Sequence, residues 1–199
     1  MLGRARPRLS EGTRKRLLEA SVAAFLKDGY HGTGLKEMLA SVNVPKGSFY
    51  NYFASKEELG AAAIRHYSAC TAAKLADALE GTPNPLAGLR TFFDRLIDDF
   101  ERAGFTGGCL VANLAGELDD SPTCGAALAA AFRDWRDDVS DALRAAQLRG
   151  LVRDDVDATE LADMLLEAWE GAVIRMKIDR SAVPLRRCLD RLLDGYFRP

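Results

Sequence analysis

Apolar residues recur along this chain every three to four positions, and alternation with period two is almost absent. Such a pattern gives each segment one apolar stripe on a helix surface and leaves nothing to build half-buried strands, so an all-α fold is expected. Leu17, Leu18, Val22, Phe25 and Leu26 mark one face of a first helix that stops near Gly29. Thr33 is positioned to cap a second short helix, with Leu35, Met38, Leu39 and Val42 at i, i+3, i+4 and i+7. Asn43-Val44-Pro45 breaks the chain, and Pro45 suits the first turn of a third helix. Ser55-Lys56-Glu57-Glu58 reads as a capping box opening a helix to Glu80. At 1.5 Å per residue that helix runs about 40 Å, enough to bridge two domains. Gly81-Thr82-Pro83-Asn84-Pro85 is the clearest linker-like punctuation. Beyond it, helices are expected at 86–103, 108–118, 122–149, 157–178 and 184–196, with Ser121-Pro122 and Asp157 as start signals.

With 48% hydrophobic and 28% charged residues among 199, the composition is that of a folded globular protein. The net charge of −2 conceals an asymmetry. Residues 1–56 hold ten Lys or Arg against four Asp or Glu, a balance of +6, and the rest of the chain carries −8. A basic head on an acidic body points to a polyanion that only the head approaches. No apolar run nears the roughly 20 residues of a membrane span, and no signal-peptide stretch follows the basic N-terminus, so a cytoplasmic protein is expected. The four cysteines (Cys70, Cys109, Cys124 and Cys188) are scattered, which argues against a zinc site or disulfide framework. No metal or cofactor is expected.

Three short helices, the last two joined by a turn, describe a helix-turn-helix. In Val44–Lys56, Phe49 and Phe53 are four apart and can share a small core, leaving Lys46, Ser48, Tyr50, Asn51 and Tyr52 largely outward. Gly47 permits close backbone approach. Lys, Ser and Asn can meet base edges, and Tyr hydroxyls and Lys56 suit phosphate oxygens. From Phe25 to Lys56, with Gly29-Tyr30, Thr33, Val44-Pro45-Lys46-Gly47-Ser48-Phe49-Tyr50 and Ser55–Leu59, the chain resembles the DNA-binding domain of the TetR family of bacterial transcriptional regulators. The resemblance implies that Lys46, Gly47 and Ser48 enter the major groove, that Thr33, Tyr50, Asn51, Tyr52 and Lys56 lie near phosphates, and that Lys36 and Pro45 belong to the same surface. Many members carry histidine where this chain has Asn51 and Tyr52. The resemblance further implies a homodimer on a palindromic double-stranded operator, with residues 1–56 as DNA-binding head and 57–199 as effector-binding and dimerisation body. Arg4, Arg6 and Arg8, in an arm of residues 1–9, suit either a minor-groove contact or a solvated tail.

In the body, Cys109, Asn113 and Glu117 fall four apart in an otherwise apolar segment, a polar stripe that either lines a cavity or pairs with a buried group. Trp169-Glu170-Gly171-Ala172 follows later, with Arg175 and Lys177. Together these resemble a TetR subgroup that responds to small reactive molecules such as acrylate, maleimides and aldehydes. That resemblance implies a sensing thiol at Cys109 with Lys177 as companion. An adjacent ammonium and a helix N-terminus would both favour the thiolate. Phe92, Phe93, Leu96, Phe100, Phe105, Trp135 and Trp169 supply apolar faces for core and pocket wall alike. Leu185, Leu189, Leu192, Leu193 and Phe197 form either a dimer seam or internal packing.

The sequence therefore reads as a repressor released from its operator by a small-molecule or electrophilic effector. Alternatives are a redox-only thiol sensor or an activator, and further off a thiol enzyme. For the last, only His31 and His66 are available as partners, both in or near the head.

Overall fold

The computed structural model describes residues 10–118 and 120–199; the arginines at 4, 6 and 8 fall outside them. The described residues form helices and no strand: α1 (Glu11–Gly32), α2 (Leu35–Ser41), α3 (Lys46–Phe49), α4 (Lys56–Glu80), α5 (Pro85–Arg102), α6 (Leu110–Ala115), α7 (Pro122–Gln147), α8 (Ala158–Asp179) and α9 (Val183–Arg191). A π-helical turn, Leu192–Tyr196, follows α9.

The helix starts follow local chemistry. Ser55 Oγ accepts from the Glu58 N–H at 3.0 Å, while the Glu58 carboxylate accepts from the Ala54 N–H at 2.6 Å, the reciprocal bonding of a capping box. Asn84, Ser121 and Asp157 cap α5, α7 and α8. Each cap is worth about 1 kcal/mol. Thr33 departs from expectation: it is buried, its hydroxyl donates back to the Gly29 carbonyl at 2.6 Å, and Gly34 is the N-cap of α2. The expected single helix over 184–196 changes form at Leu192.

Three hydrophobic clusters stack along the molecule. The first, in the head, contains Leu17, Leu39, Phe49 and Phe53. The second joins Phe25 of α1 to Leu110 and Leu114 of α6 and Cys124 and Leu128 of α7. The third and largest binds α5, α7, α8 and α9 through Phe92, Phe93, Leu165, Trp169, Met176 and Leu189. The long helix α4 contributes to all three, with Leu59 and Ala62 in the first, Ala61 and Ile64 in the second, and Leu75 and Ala78 in the third. At the far end, Arg90 of α5 pairs with Asp94 and Asp190, each at 3.1 Å, and with Asp194, tying the π-helical turn to the bundle.

Candidate nucleic-acid interface and effector cavity

The turn between α2 and α3 is set by Asn43, whose φ of 55° is left-handed, and by Pro45, the N-cap of α3. Phe49 and Phe53 are buried with ring centroids 5.8 Å apart, which fixes which face of α3 looks outward. Lys36, Pro45, Lys46, Gly47, Tyr50 and Asn51 are exposed together, and Ser48 is half-buried among them. Gly47 has open space around it: a Cβ there would meet nothing within 4 Å. The close approach it permits is therefore external, since beyond its own helix backbone and chain neighbours nothing among the described residues comes near.

Three residues expected at phosphates are engaged within the protein instead. Lys56 Nζ donates to the Tyr30 and Thr33 carbonyls at 2.6 and 2.7 Å and lies 4.4 Å from the Tyr30 ring centroid. Burial lowers its pKa, and Glu117 opposes that. It clamps the α1–α2 junction onto α4. Tyr52 is half-buried, and its hydroxyl accepts from the Ser10 N–H at 3.2 Å, pinning the start of α1. Thr33 is buried as described.

Below the head lies a cavity of about 650 Å³, walled by residues of α1, α4, α5, α6, α7 and α8. Leu96, Phe100, Trp135 and Trp169 line it, together with Leu26, Tyr67 and Val111, whereas Phe92 and Phe93 belong to the solid core. Lys74 and Asp99, paired at 2.6 Å, are its main charged lining. Cys109 is on the wall as the N-cap of α6. Gly108 before it has a φ of 91°, and a Cβ there would come within 3.2 Å of Val173 and 3.3 Å of Lys177, so glycine is what lets α8 close over this loop.

The expected polar stripe divides three ways because α6 is only six residues long. Cys109 is buried beside Tyr67 and Glu170, and of the two Glu170 acts on its thiol. Asn113 donates to the Gly107 carbonyl at 2.8 Å and accepts from Lys177 Nζ at 3.4 Å. Glu117 lies past the helix end and accepts from the His31 N–H at 3.0 Å, while His31 Nε2 meets the Glu117 carbonyl at 2.8 Å. Burial pushes the thiol pKa of Cys109 well up, and the Glu170 carboxylate pushes it further. The Val111 and Ala112 N–H groups at the helix start pull the other way and lose. The thiol is thus held protonated, contrary to the expected thiolate, and Lys177 is occupied by Asn113. Neither histidine adjoins it: His31 is on Glu117, and His66 is 3.9 Å from the exposed Cys70. The repeated spacing of Cys109, Asn113 and Glu117 gives no hint of Tyr67 or Glu170, which come from two other helices.

Burial also raises the Glu170 pKa, with a smaller opposing effect from its bond to Cys109. A carboxyl raised in the folded state binds more protons than in the unfolded chain. Its favourable contribution is complete below the ordinary glutamate value of about 4.3 and is lost as pH rises through the folded value. Glu170→Gln is therefore expected to raise the urea midpoint at pH 7.5. It should also flatten the part of the native stability curve that falls with rising pH above the glutamate range. Equal midpoints and equal slopes would refute this.

The remaining predicted residues lie elsewhere. Arg175 is exposed, pairs with Asp179 at 2.9 Å and borders a groove between α8 and α9, away from the cavity. Leu185, Leu189, Leu193 and Phe197 are fully buried inside the subunit, which excludes them from a seam with another copy; Leu192 is half-buried at the groove edge. The helical period turns those leucines inward, while Ile174 and Ile178 of α8 and Val183 of α9 are exposed. Among the described residues no cluster of metal-ligating side chains is present, and no helix is long and apolar enough to cross a membrane.

Residues 17–63 match the family described as bacterial regulatory proteins, tetR family, and residues 85–192 match the tetracyclin repressor-like C-terminal domain. The transcriptional regulator AcuR of Cereibacter sphaeroides is 37% identical over 171 residues, covering 85% of this chain and 78% of that protein. The transcriptional repressor DhaR of Mycobacterium sp. strain GP1 is 32% identical over 186 residues and 92% of both chains. The crystal structure of Escherichia coli NemR in its reduced form superposes with a TM-score of 0.87 at 30% identity, over 95% of this chain and 99% of that one. A basic helix-turn-helix head, an all-helical body with a cavity beneath it, and these matches across both halves have one reading: the chain belongs to the TetR family of transcriptional regulators, which bind DNA and are not enzymes.

Proposed function

We propose that the chain is a homodimeric repressor whose two heads occupy a palindromic operator, and that it leaves the operator when a small electrophile or oxidant reaches Cys109. The observation that carries this reading is the position of α6. One end offers a thiol to a 650 Å³ cavity, and the other end holds α1 through Glu117 and His31. An adduct on the sulfur must be accommodated by α6 or α8, and displacement of α6 pulls directly on the head. An effector acts only through its different affinity for the two arrangements, and here the difference is the room around Cys109. Residues 1–56 form the DNA-reading head in this account, and residues 57–199 the sensing and pairing body. The exposed Ile174, Ile178 and Val183 supply apolar area for a partner copy on α8 and α9. The pair of heads must keep the roughly 34–36 Å spacing of successive major grooves.

A gel shift with the intergenic DNA upstream of the gene, with and without an acrylate-class electrophile, tests the proposal. The native protein is expected to release DNA, and Cys109→Ser is expected to bind and stay bound. Release by Cys109→Ser at the native electrophile concentration would overturn it.

At the DNA surface, Gly47→Ala separates binding from folding. The methyl meets nothing, and alanine favours a helix over glycine by up to about 1 kcal/mol, so the variant is expected to be as stable as the native protein or more so. Operator affinity is expected to fall about tenfold or more, 1.4 kcal/mol, because the methyl enters the space left for DNA. Titration of labelled operator beside thermal melting reads both. A loss of stability with unchanged affinity would remove Gly47 from the interface.

A further inference from the structure

We propose that Arg14 of α1 grips a backbone phosphate of bound DNA at the edge of the recognition helix α3. Two groups expected at phosphates are turned inward: Lys56 is spent on the Tyr30 and Thr33 carbonyls, and the Tyr52 hydroxyl on the Ser10 N–H. The second of these bonds brings a replacement. It holds the start of α1 against the turn that follows α3, next to the exposed Tyr50 and Asn51. Arg14 stands one turn further along α1, its N–H donating to the Ser10 carbonyl at 3.1 Å.

The place Arg14 occupies is one that an apolar side chain would fill. It falls on the same face of α1 as Leu17, Leu18, Ser21 and Phe25, all of them buried. Arg14 is half-buried there, with its guanidinium carbon 5.5 Å from the centroid of the Phe53 ring. An arginine in such a site lays its stem along apolar surface and keeps its charged end at the edge, where the ring steadies it. Partial loss of water leaves that charge in want of an anion. Among the described residues the ion pairs of the head are Lys15 with Glu19 and Lys27 with Asp28, and Arg14 enters neither. Arg16 is more exposed and is turned toward the Thr13 hydroxyl at 3.3 Å. Glu11, exposed in the first turn of α1, repels a phosphate from the helix start itself, so the contact belongs to the guanidinium and not to the free N–H groups. A planar guanidinium can donate to two phosphate oxygens at once. Such a contact fixes the register of the head on the duplex and reads no base.

The test is titration of the full-length protein and its Arg14→Gln variant onto two labelled duplexes of equal length over a range of salt concentrations. One duplex is the intergenic DNA upstream of the gene, and the other is a scrambled version of it. The variant is expected to bind both about tenfold more weakly, and by the same factor, because a phosphate carries no sequence. With one Arg14 on each of two heads, the slope of log affinity against log salt should become shallower by about two. Arg14→Lys keeps the charge, so it should hold the native slope while losing part of the affinity. An unchanged slope in Arg14→Gln, or a loss confined to the intergenic duplex, overturns the assignment. A lower melting temperature with affinity and slope intact makes Arg14 a packing residue and overturns it equally. Should the glutamine variant fail to fold by circular dichroism, the native protein decides. Modification of Arg14 by phenylglyoxal, read by peptide mass spectrometry, should then be lost on adding either duplex, while the exposed Arg133 of α7 stays reactive. Equal modification of Arg14 with and without DNA overturns the proposal. A native protein that prefers neither duplex defeats the operator reading above, and the Arg14 contact is still read on both duplexes.

Discussion

Gly29→Ala is expected to lose about 3 kcal/mol of stability and to loosen the head from the body. Gly29 has φ 73° and ψ 174°, a backbone region open essentially to glycine, where a side chain costs about 1–3 kcal/mol. A Cβ would also fall 2.5 and 2.9 Å from the two Glu117 carboxylate oxygens. The carboxylate sits at the end of a flexible side chain and can swing away, so the clash itself is relieved. The swing gives up its bond from the His31 N–H, and a bond to a charged group is worth about 1.5–3 kcal/mol at most. Backbone strain and the lost bond together set the figure, and the melting point should drop by about 9 °C for a chain of this size. Glu117→Ala alone is expected to cost about 1.5 kcal/mol, because it removes the bond without the strain. The double variant should cost less than the sum of the singles, since the bond can be lost only once. Strict additivity in urea unfolding would show that Gly29 and Glu117 do not act on each other.

The largest loss is expected from Trp169→Ala, about 4 kcal/mol. Trp169 is 1% exposed, with ring centroids 4.7 Å from Phe93 and 6.5 Å from Phe100. Large aromatic truncations in a core cost about 3–5 kcal/mol, against a typical total of 5–15. The side of Trp169 that lines the cavity moderates the figure, because the vacated space joins an existing void and the cavity term grows less. Trp169→Phe keeps a ring on Phe93 and should lose no more than half as much. Chemical denaturation at fixed pH checks both. A loss under 2 kcal/mol for the alanine variant would mean that the surrounding helices collapse into the gap.

The sequence carried the helices because their signals are local. Ser55 with Glu58, Ser121 and Asp157 cap the helices they were expected to open, and the period of apolar residues located α5, α7 and α8 within a few residues. Thr33 and Lys56 misled for the opposite reason. Their residue types suit caps and phosphates, but the chain folds the α1–α2 junction over the start of α4, and both side chains are used there. The leucines at 185 and 189 show the ambiguity of an apolar face, since periodicity reveals a stripe and not what it will meet. The cavity was half legible. Trp135, Trp169 and Cys109 stand out in a row of letters, whereas Tyr67 and Glu170 matter only because α4 and α8 bring them to the sulfur.

Because one helix, α4, belongs to three hydrophobic clusters in turn, the DNA-reading portion cannot be lifted out at residue 56. A fragment ending there would lack Leu59 and Ala62 and leave Phe49 and Phe53 without a lid. Chimeric regulators that graft this specificity onto a foreign sensor must carry the helix along at least to Ile64, and the recipient must offer surfaces matching Phe25 and Leu114. Swapping of parts in this architecture is thus constrained by the seam between the pieces more than by either piece.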